Sequence, residues 1–193
     1  MQLVVPSPEH LGSYVDALRR GWSPDNLRGR EAAEEQLALI AQGELEFLAA
    51  LDDPEARGAP IALPDGTFVP RLPSIVRWIW DGEFCGSIGF RWQRGTAALP
   101  STCLGHIGYA VVPWKRRQGY GTSALAQMLE TARTHDLPYV EITTKPDNIA
   151  SCRAIEANGG WLVERFVNDR AYGGGEELRF RVPLTPLVLK QCS

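Results

Sequence analysis

The segment that most constrains the fold is residues 111–122, which read Val-Val-Pro-Trp-Lys-Arg-Arg-Gln-Gly-Tyr-Gly-Thr. Its apolar start is typical of a strand, and the residues after Gly121 have the periodicity of a helix. The first turn of a helix presents unpaired N–H groups and the positive end of its dipole, and glycine lets an anion approach the backbone. Three basic residues at 115–117 add positive charge. The segment therefore predicts a strand, an anion-binding turn and a helix, although in isolation the same letters would also suit a solvated basic loop.

The neighbouring residues extend this segment into a larger unit. We predict strands at 104–112 and 139–144, with a helix at 120–134 between them. A strand, helix and strand in this order imply a crossover between neighbouring parallel strands. The next helix has its N-cap at Asp147 or Asn148 and ends at an Asn-Gly-Gly sequence.

Antiparallel hairpins flank this unit. Strand patterns at 74–80 and 83–93 surround Asp81-Gly82, the strongest hairpin signal in the chain. A last hairpin pairs residues 161–167 with 178–184 across a run of glycines at 173–175. We therefore expect an antiparallel meander, a parallel crossover and a C-terminal hairpin.

The first 73 residues are predicted as two amphipathic helices followed by a proline-rich loop. The helices span residues 9–20 and about 31–51, and Gly43 is a point where the second can be interrupted. The apolar core candidates of the second helix are Leu37, Ile40, Leu45, Leu48 and Leu51. A short edge strand is expected at 67–69. The whole pattern predicts an α+β fold, layered α/β/α, around a mixed central sheet.

Two motifs resemble the signatures of the GNAT N-acetyltransferase superfamily. Arg116-x-x-Gly119-x-Gly121 matches the (Arg/Gln)-x-x-Gly-x-(Gly/Ala) loop that binds the pyrophosphate of acetyl-CoA, and residues 148–160 resemble the Asn-led helix that follows it. The resemblance covers residues 74–184, and the sequence of these motifs is similar to that of a group of bacterial predicted acetyltransferases. It implies the GNAT fold in a single domain over 1–193, whose residues 1–73 shape the acceptor site.

The resemblance also implies which residues contact acetyl-CoA or coenzyme A. Backbone N–H groups around Val111 and Val112 would polarise the thioester carbonyl. The full set expected to bind the cofactor is Val111, Val112, Arg116, Arg117, Gln118, Gly119, Tyr120, Gly121, Thr122, Asn148, Ser151 and Arg153. Helix capping is the alternative role for Asn148, and simple solvation the alternative for Arg153.

Three residues compete as the base that would free the lone pair of an amine acceptor. Glu141 lies near a catalytic glutamate of some relatives, His106 titrates near neutral pH, and Tyr109 is the third candidate. Each also suits a structural role, and a water chain or the acceptor's own pocket is the alternative to all three. Where many relatives have a tyrosine as general acid, this chain has Ile155, and Tyr172 is a substitute from another direction.

Composition excludes several other classes of protein. A net charge of −3 argues against broad binding to nucleic acid, and no run of 18 apolar residues suggests a membrane span. The four cysteines and three histidines show no metal-ligand spacing, so no metal is expected. With no leader-like pattern at the start, we expect a cytoplasmic protein.

These features predict an acetyl-CoA-dependent N-acetyltransferase that transfers directly to a primary amine of a small molecule or peptide. The alternative is an acyl-CoA-binding regulatory module of the same fold without activity, motivated by Ile155. Eight acidic residues and no basic one over 31–55 suit either a cationic acceptor or a solvated helix face, and several tryptophans suit an aromatic ligand or the core. A monomer and a homodimer are both compatible with the sequence.

Overall fold

The computed structural model describes residues 1–63, 66–169 and 174–184. Its helices are α1 (Pro8–Arg19), α2 (Arg30–Gln42), α3 (Glu44–Ala50), α4 (Tyr120–Ala132) and α5 (Ile149–Ala157). Its strands are β1 (Gln2–Val4), β2 (Ile61–Ala62), β3 (Phe68–Val69), β4 (Ser74–Trp80), β5 (Phe84–Arg91), β6 (Ile107–Val111), β7 (Tyr139–Thr144), β8 (Trp161–Asn168) and β9 (Gly175–Pro183). None of the helices in these ranges combines the length and the apolar character needed to cross a membrane.

Two antiparallel sheets form the centre of the fold. One has the strand order β1-β4-β5-β6 and the other the order β7-β9-β8, while β2 and β3 form a separate small pair. The meander is therefore present as predicted, with Trp80 paired with Phe84 around the Asp81-Gly82 turn. The C-terminal hairpin is also present, and Gly173, the first residue of its predicted glycine turn, lies outside the described residues.

The two sheets meet at the start of β6. The His106 N–H donates to the Glu141 carbonyl at 2.7 Å, and a Cβ on Gly105 would lie 3.0 Å from that same oxygen. The expected order of strand, helix and strand is present, but in the described part of the chain β6 and β7 form no ladder. The strands instead diverge from this contact, which opens a gap within what was predicted to be one mixed sheet.

Helices cover both faces of the first sheet. On one face, α4 and α5 pack over an aliphatic core that includes Ile88, Leu125 and Met128, all fully buried. On the other face, α1–α3 enclose an aromatic cluster in which Tyr14 stacks on Trp78 with ring centroids 4.5 Å apart. Three of the tryptophans considered as ligand contacts, Trp22, Trp78 and Trp92, are thus buried core residues.

The second predicted helix is divided in two at Gly43. The backbone of Gly43 is extended there, with φ −177°, and α3 begins immediately afterwards. The break changes the helical phase, so Leu45 is 67% exposed although continuous periodicity would bury it, while Phe47 is buried instead. Ile40 and Leu48 are buried as expected.

Candidate functional site

The turn between β6 and α4 has the backbone of an anion-binding nest. Arg117 and Gly119 both adopt left-handed conformations, with φ +62° and +77°, and α4 begins at Tyr120. Such alternation directs successive N–H groups toward one side of the chain. The backbone N–H groups of residues 119–122 donate to no partner within the described ranges, as is usual for the first turn of a helix. We call residues 116–122 the anion-binding turn.

The three basic residues of this region differ in what they can contact. Lys115 lies 2.9 Å from a carboxylate oxygen of Asp81 and 2.7 Å from one of Glu83, so its charge is already matched and it does not serve an anion. The Arg116 Nε donates to the Val111 carbonyl at 3.3 Å. Arg117 and Gln118 are exposed at the turn.

Three further residues of the turn contribute to its packing and polar contacts. A Cβ on Gly121 would lie 3.3 Å from Cε2 of Tyr109, so the glycine lets the start of α4 approach β6 closely. The Tyr120 hydroxyl donates to Asp81 at 2.5 Å and, with Lys115, holds the pKa of that carboxyl well below its usual range. The Thr122 carbonyl accepts from the Asn158 side chain at 3.1 Å, which ties α4 to the end of α5.

The peptide groups of β6 divide between its two sides. The Arg91 N–H donates to the His106 carbonyl and the Val112 N–H to the Cys85 carbonyl, at the two ends of the β5–β6 ladder. Since alternate residues of an antiparallel strand bond to the partner, the peptides of Tyr109 and Val111 face away from β5, toward the gap. Of the two amides expected to polarise the thioester, Val111 is therefore available and Val112 is not.

The gap between the sheets is a cleft of about 490 Å³. We call it the β6–β7 cleft. It is lined by Asn26, Leu27, Leu104, Ile107, Gly108, Tyr109, Ile142, Thr143, Thr144, Lys145, Asp147, Asn148, Ser151 and Glu177. Its walls thus come from the loop after α1, from β6 and β7, from the start of α5 and from β9.

The start of α5 brings polar groups to this cleft. The Asn148 side chain accepts from the Ser151 N–H at 3.2 Å, which is the capping role considered from the sequence. The Ser151 hydroxyl lies 3.0 Å from the Tyr109 hydroxyl, and burial raises the pKa of Tyr109. Arg153 is exposed on α5 and forms no ion pair within the described chain.

His106 does not have the environment of a catalytic base. Its ring is fully buried, its Nδ1 accepts from the Glu141 N–H at 2.9 Å, and its Nε2 has no hydrogen-bond partner within the described residues. Burial lowers the pKa of His106 to about 4, against the opposing effect of Glu141. A neutral, enclosed imidazole whose acceptor nitrogen is occupied pins the two sheets together rather than receiving a proton from a substrate.

The Glu141 carboxylate is also unsuited to be the base, because it is paired with two arginines. One oxygen accepts from Arg181 at 2.7 Å and the other lies 3.8 Å from Arg179, both on the neighbouring strand β9. The side chain is 14% exposed and does not line the β6–β7 cleft. The sequence could not anticipate this pairing, because the arginines are about 40 positions away and reach Glu141 only through the sheet register.

Neither position considered for the general acid, 155 or 172, supplies a described acidic group to the cleft. Ile155 is completely buried beneath Gly160, so no polar group replaces the tyrosine of relatives there. Tyr172 lies outside the described residues. Tyr109 is therefore the phenol that the described structure brings to the cleft.

Sequence reasoning missed Glu177. This residue lines the cleft, is only 7% exposed, and has no hydrogen bond or ion pair to the residues that the structure describes. Burial raises the pKa of Glu177, with a smaller opposing effect from Lys145. In the sequence it is one of two adjacent glutamates in a strand, and only the register of β9 against β7 brings it to the cleft.

The acidic stretch at 31–55 does not form a free acidic wall. Six of its eight carboxylates lie within 4.0 Å of an arginine; they are Glu31, Glu34, Glu35, Asp52, Asp53 and Glu55. None of the eight lines the β6–β7 cleft. The acidic groups of the cleft are instead Asp147 and Glu177.

A larger cavity, of about 710 Å³, lies between the β2–β3 pair, the sheet and residues 100–103. Its walls are mainly apolar, and Arg71 and Arg91 are its charged residues. It contains neither the anion-binding turn nor the peptide groups of β6. We therefore place the candidate site at the smaller cleft, because Ile107, Gly108 and Tyr109 of β6 line it and β6 leads directly into the anion-binding turn. The turn itself lies outside the cleft lining.

Comparison with known proteins identifies a family that this part of the chain matches. Residues 70–160 match the family model described as an acetyltransferase (GNAT) domain, a range that contains the anion-binding turn and α5. A search of curated proteins returned no match.

Three solved structures illustrate the likeness in fold. A point mutant of the spermidine N-acetyltransferase SpeG from Vibrio cholerae has a TM-score of 0.56 at 10% identity, covering 95% of each chain. The microcin C7 self-immunity acetyltransferase MccE, in complex with acetyl-CoA and AMP, has a TM-score of 0.56 at 11% identity, covering 94% of this chain and 91% of its own. YncA from Salmonella typhimurium, with its cofactor acetyl-CoA, has a TM-score of 0.53 at 12% identity, covering 100% and 98%.

Proposed function

Because residues 70–160 of this chain belong to the GNAT family of acetyltransferases, we propose that it transfers an acetyl group from acetyl-CoA directly to a primary amine of a small molecule or peptide. The observation that carries this proposal is the meeting of the anion-binding turn with an unpaired strand edge. One binds a pyrophosphate, and the other offers Val111 N–H to an extended ligand.

The residues present fit the cofactor. Orphan N–H groups at 119–122 and the exposed Arg117 suit a pyrophosphate, and Arg153 is an unpaired cation on the neighbouring helix, within the part of the chain that the structure describes. The peptides of Tyr109 and Val111 suit the amide-containing arm of coenzyme A. The thioester supplies an acetyl group activated for attack by nitrogen.

The chain must also supply proton transfers. An alkylammonium of pKa near 10.4 holds its proton at neutral pH, and removing it costs about 4.6 kcal/mol at pH 7. On the other side of the reaction, Tyr109 keeps its proton because its pKa is raised, so its hydroxyl can protonate the leaving sulfur. Ser151, 3.0 Å away, orients that hydroxyl.

The N-terminal residues 1–73 complete the acceptor side in this proposal. Asn26 and Leu27, in the loop after α1, line the β6–β7 cleft opposite α5. With Asp147 and Glu177 as the cleft's acidic groups, a cationic amine is the acceptor that suits it. The structural neighbour named as a spermidine N-acetyltransferase acts on an acceptor of that kind.

The proposal is tested in two steps on the full chain. Isothermal titration measures acetyl-CoA binding, and a thiol-release assay then screens polyamines, aminoglycosides, amino acids and peptide N-termini. Release that depends on one class of amine, with mass spectrometry showing a gain of one acetyl group, supports the proposal. Tight binding without acetylation of any amine would instead favour the regulatory module, and no binding of acetyl-CoA would refute both.

A further inference from the structure

Glu177 is a largely buried residue whose carboxylate oxygens remain accessible from the cleft and have no described counter-charge in contact. It is only 7% exposed on β9, and its side chain lines the β6–β7 cleft together with Tyr109 and Ser151. Within the described ranges no N–H, hydroxyl or cationic group donates to it. Buried carboxylates are normally paired, because desolvation of an unpaired charge is costly. An unpaired one that faces a cleft therefore points to a ligand that supplies the missing donor.

The neighbouring strand residues make the contrast clear. Arg179 and Arg181 occupy the same face of β9, yet both are paired with Glu141 rather than with Glu177. Two charged groups act on Glu177 across the cleft. The exposed Lys145 lowers the pKa of Glu177, and Asp147 raises it. Among the described residues, no structural ion pair accounts for the position of this carboxylate.

The chemistry of the cleft determines what kind of ligand fits. A carboxylate accepts hydrogen bonds and attracts positive charge, so the complementary group is an ammonium. Desolvation raises the pKa of Glu177 above that of an exposed glutamate, which makes this carboxylate a stronger base. The acidic residues at 31–55 cannot provide this function, since they lie outside the cleft.

We propose that Glu177 receives the ammonium group of the acceptor and takes its proton, which makes it the catalytic base of the cleft. This inference rests on the proposed acetyl transfer. The Glu177 carboxylate accepts one proton from the ammonium, and the nitrogen lone pair forms a bond to the acetyl carbon. The bond from that carbon to sulfur breaks, and the sulfur takes the electron pair and the Tyr109 proton. The second proton lost by nitrogen restores the Tyr109 phenol, and the proton on Glu177 leaves to solvent.

The test compares Glu177→Gln with Glu176→Gln. The first keeps the shape of the side chain and removes its charge, whereas Glu176 is exposed and pairs with Arg165 at 3.1 Å, outside the cleft. Acetyl-CoA affinity should be unchanged in both variants. For the amine acetylated fastest in the screen, we expect kcat/KM of Glu177→Gln to fall at least ~100-fold and to stop rising with pH. We expect kcat/KM of Glu176→Gln to equal that of the wild type.

A second measurement does not require acetylation. In protein carrying carboxyl-labelled glutamate and saturated with coenzyme A, n-butylamine is titrated while carbon NMR follows the carboxyl resonances. We expect the one resonance missing from Glu177→Gln to shift. If the resonance does not shift, or if Glu177→Gln acetylates amines like the wild type, Glu177 is not the amine receptor. A shift without any acetylation would support amine binding by Glu177. It would refute the proposed acetyl transfer and, with it, the role of Glu177 as catalytic base.

A thermal denaturation measurement excludes a merely structural role. Replacing an unpaired buried carboxylate with an amide should leave the melting temperature unchanged or raise it. A fall of several degrees in Glu177→Gln, with loss of amine binding, would assign the residue to the fold and overturn the proposal.

Discussion

At the scale of single residues, the anion-binding turn depends on backbone conformations that most side chains avoid. Gly119 adopts its left-handed conformation without strain, but Arg117 adopts one at a cost. The arginine is exposed and has no ion pair within the described chain, so nothing in the fold requires its side chain. Its position beside the orphan N–H groups instead suits contact with an anion.

Replacing Arg117 separates its charge from its conformation. Arg117→Gly relieves the strain and removes the cation, whereas Arg117→Ala removes the cation and retains the strain. We expect both to weaken acetyl-CoA binding several-fold by titration calorimetry, about 1 kcal/mol for one charge-assisted contact. Urea denaturation should find the alanine variant about 1 kcal/mol less stable than the glycine variant. Equal stabilities would contradict the left-handed conformation.

Tyr109 combines a raised pKa with a position in the cleft. Tyr109→Phe removes the proton donor and keeps the ring that packs against Gly121. We expect kcat to fall ~10- to 100-fold with little change in the dissociation constant of acetyl-CoA, because the ring and the strand edge remain. Ser151→Ala, which removes only the hydroxyl's neighbour, should have a smaller effect. An unchanged kcat in Tyr109→Phe would remove the residue from the reaction.

At the scale of elements, the exposed edge of β6 depends on how closely β5 approaches it. A Cβ on Gly86 would lie 2.2 Å from the Ala110 carbonyl oxygen and 2.9 Å from Cα of Val111. Gly86 pairs with Val111 in the ladder, so the glycine sets the position of the strand end that offers its N–H to the gap. This close approach is a property of the β5–β6 pair rather than of either strand alone.

Gly86→Ala should therefore disturb both stability and the site. Because the obstructing atoms belong to the backbone, we expect a loss of at least ~3 kcal/mol in the free energy of unfolding, with weaker acetyl-CoA binding. The matched control is Gly82→Ala in the preceding turn. Gly82 also has a positive φ, +111°, but a Cβ there meets nothing within 4 Å, so a loss of about 1–2 kcal/mol is expected. Similar losses in the two variants would contradict the close approach.

At the scale of the whole molecule, His106 joins the two sheets where they begin to diverge. Its backbone N–H and its Nδ1 both bond to the backbone of Glu141, so one residue fixes the apex of the cleft. This contact involves β6, β7 and the cores beneath them. Its protonation state consequently affects the fold as a unit.

Stability should therefore decrease in mild acid. The pKa of His106 is lowered from 6.5 to about 4 in the folded chain, so below pH 6.5 the unfolded chain takes up a proton that the folded chain does not. From this residue we expect about 2 kcal/mol less stability at pH 5 than at pH 7.5 in denaturant titrations. Because the pKa of Glu177 is raised, its contribution to stability decreases as the pH rises, opposite to that of His106. The quantity to compare is therefore the difference in the free energy of unfolding between the wild type and His106→Gln at each pH. No difference in pH dependence between the two would show that His106 is not buried in its neutral form.

Much of the donor side was determined by the sequence alone. The GNAT fold and an acetyl-CoA-dependent acetyltransferase were predicted from the motifs around Gly119 and Asn148. The family match supports both, and the solved structures confirm the fold. These features are local: a left-handed turn, an N-cap and the periodicity of α4 each depend on residues within a few positions of one another. Local sequence is sufficient to specify them.

The chemical states of the charged groups were decided only by the tertiary structure. Lys115 is paired with Asp81, Glu141 is paired with Arg181, and Glu177 faces the cleft without a described partner. In the sequence each of the three is simply a charged residue, with nothing to show whether it is paired. Which role each takes depends on strands brought together from distant parts of the chain. Burial and pairing, rather than residue type, set the energy of a charge, and both are properties of the assembled fold.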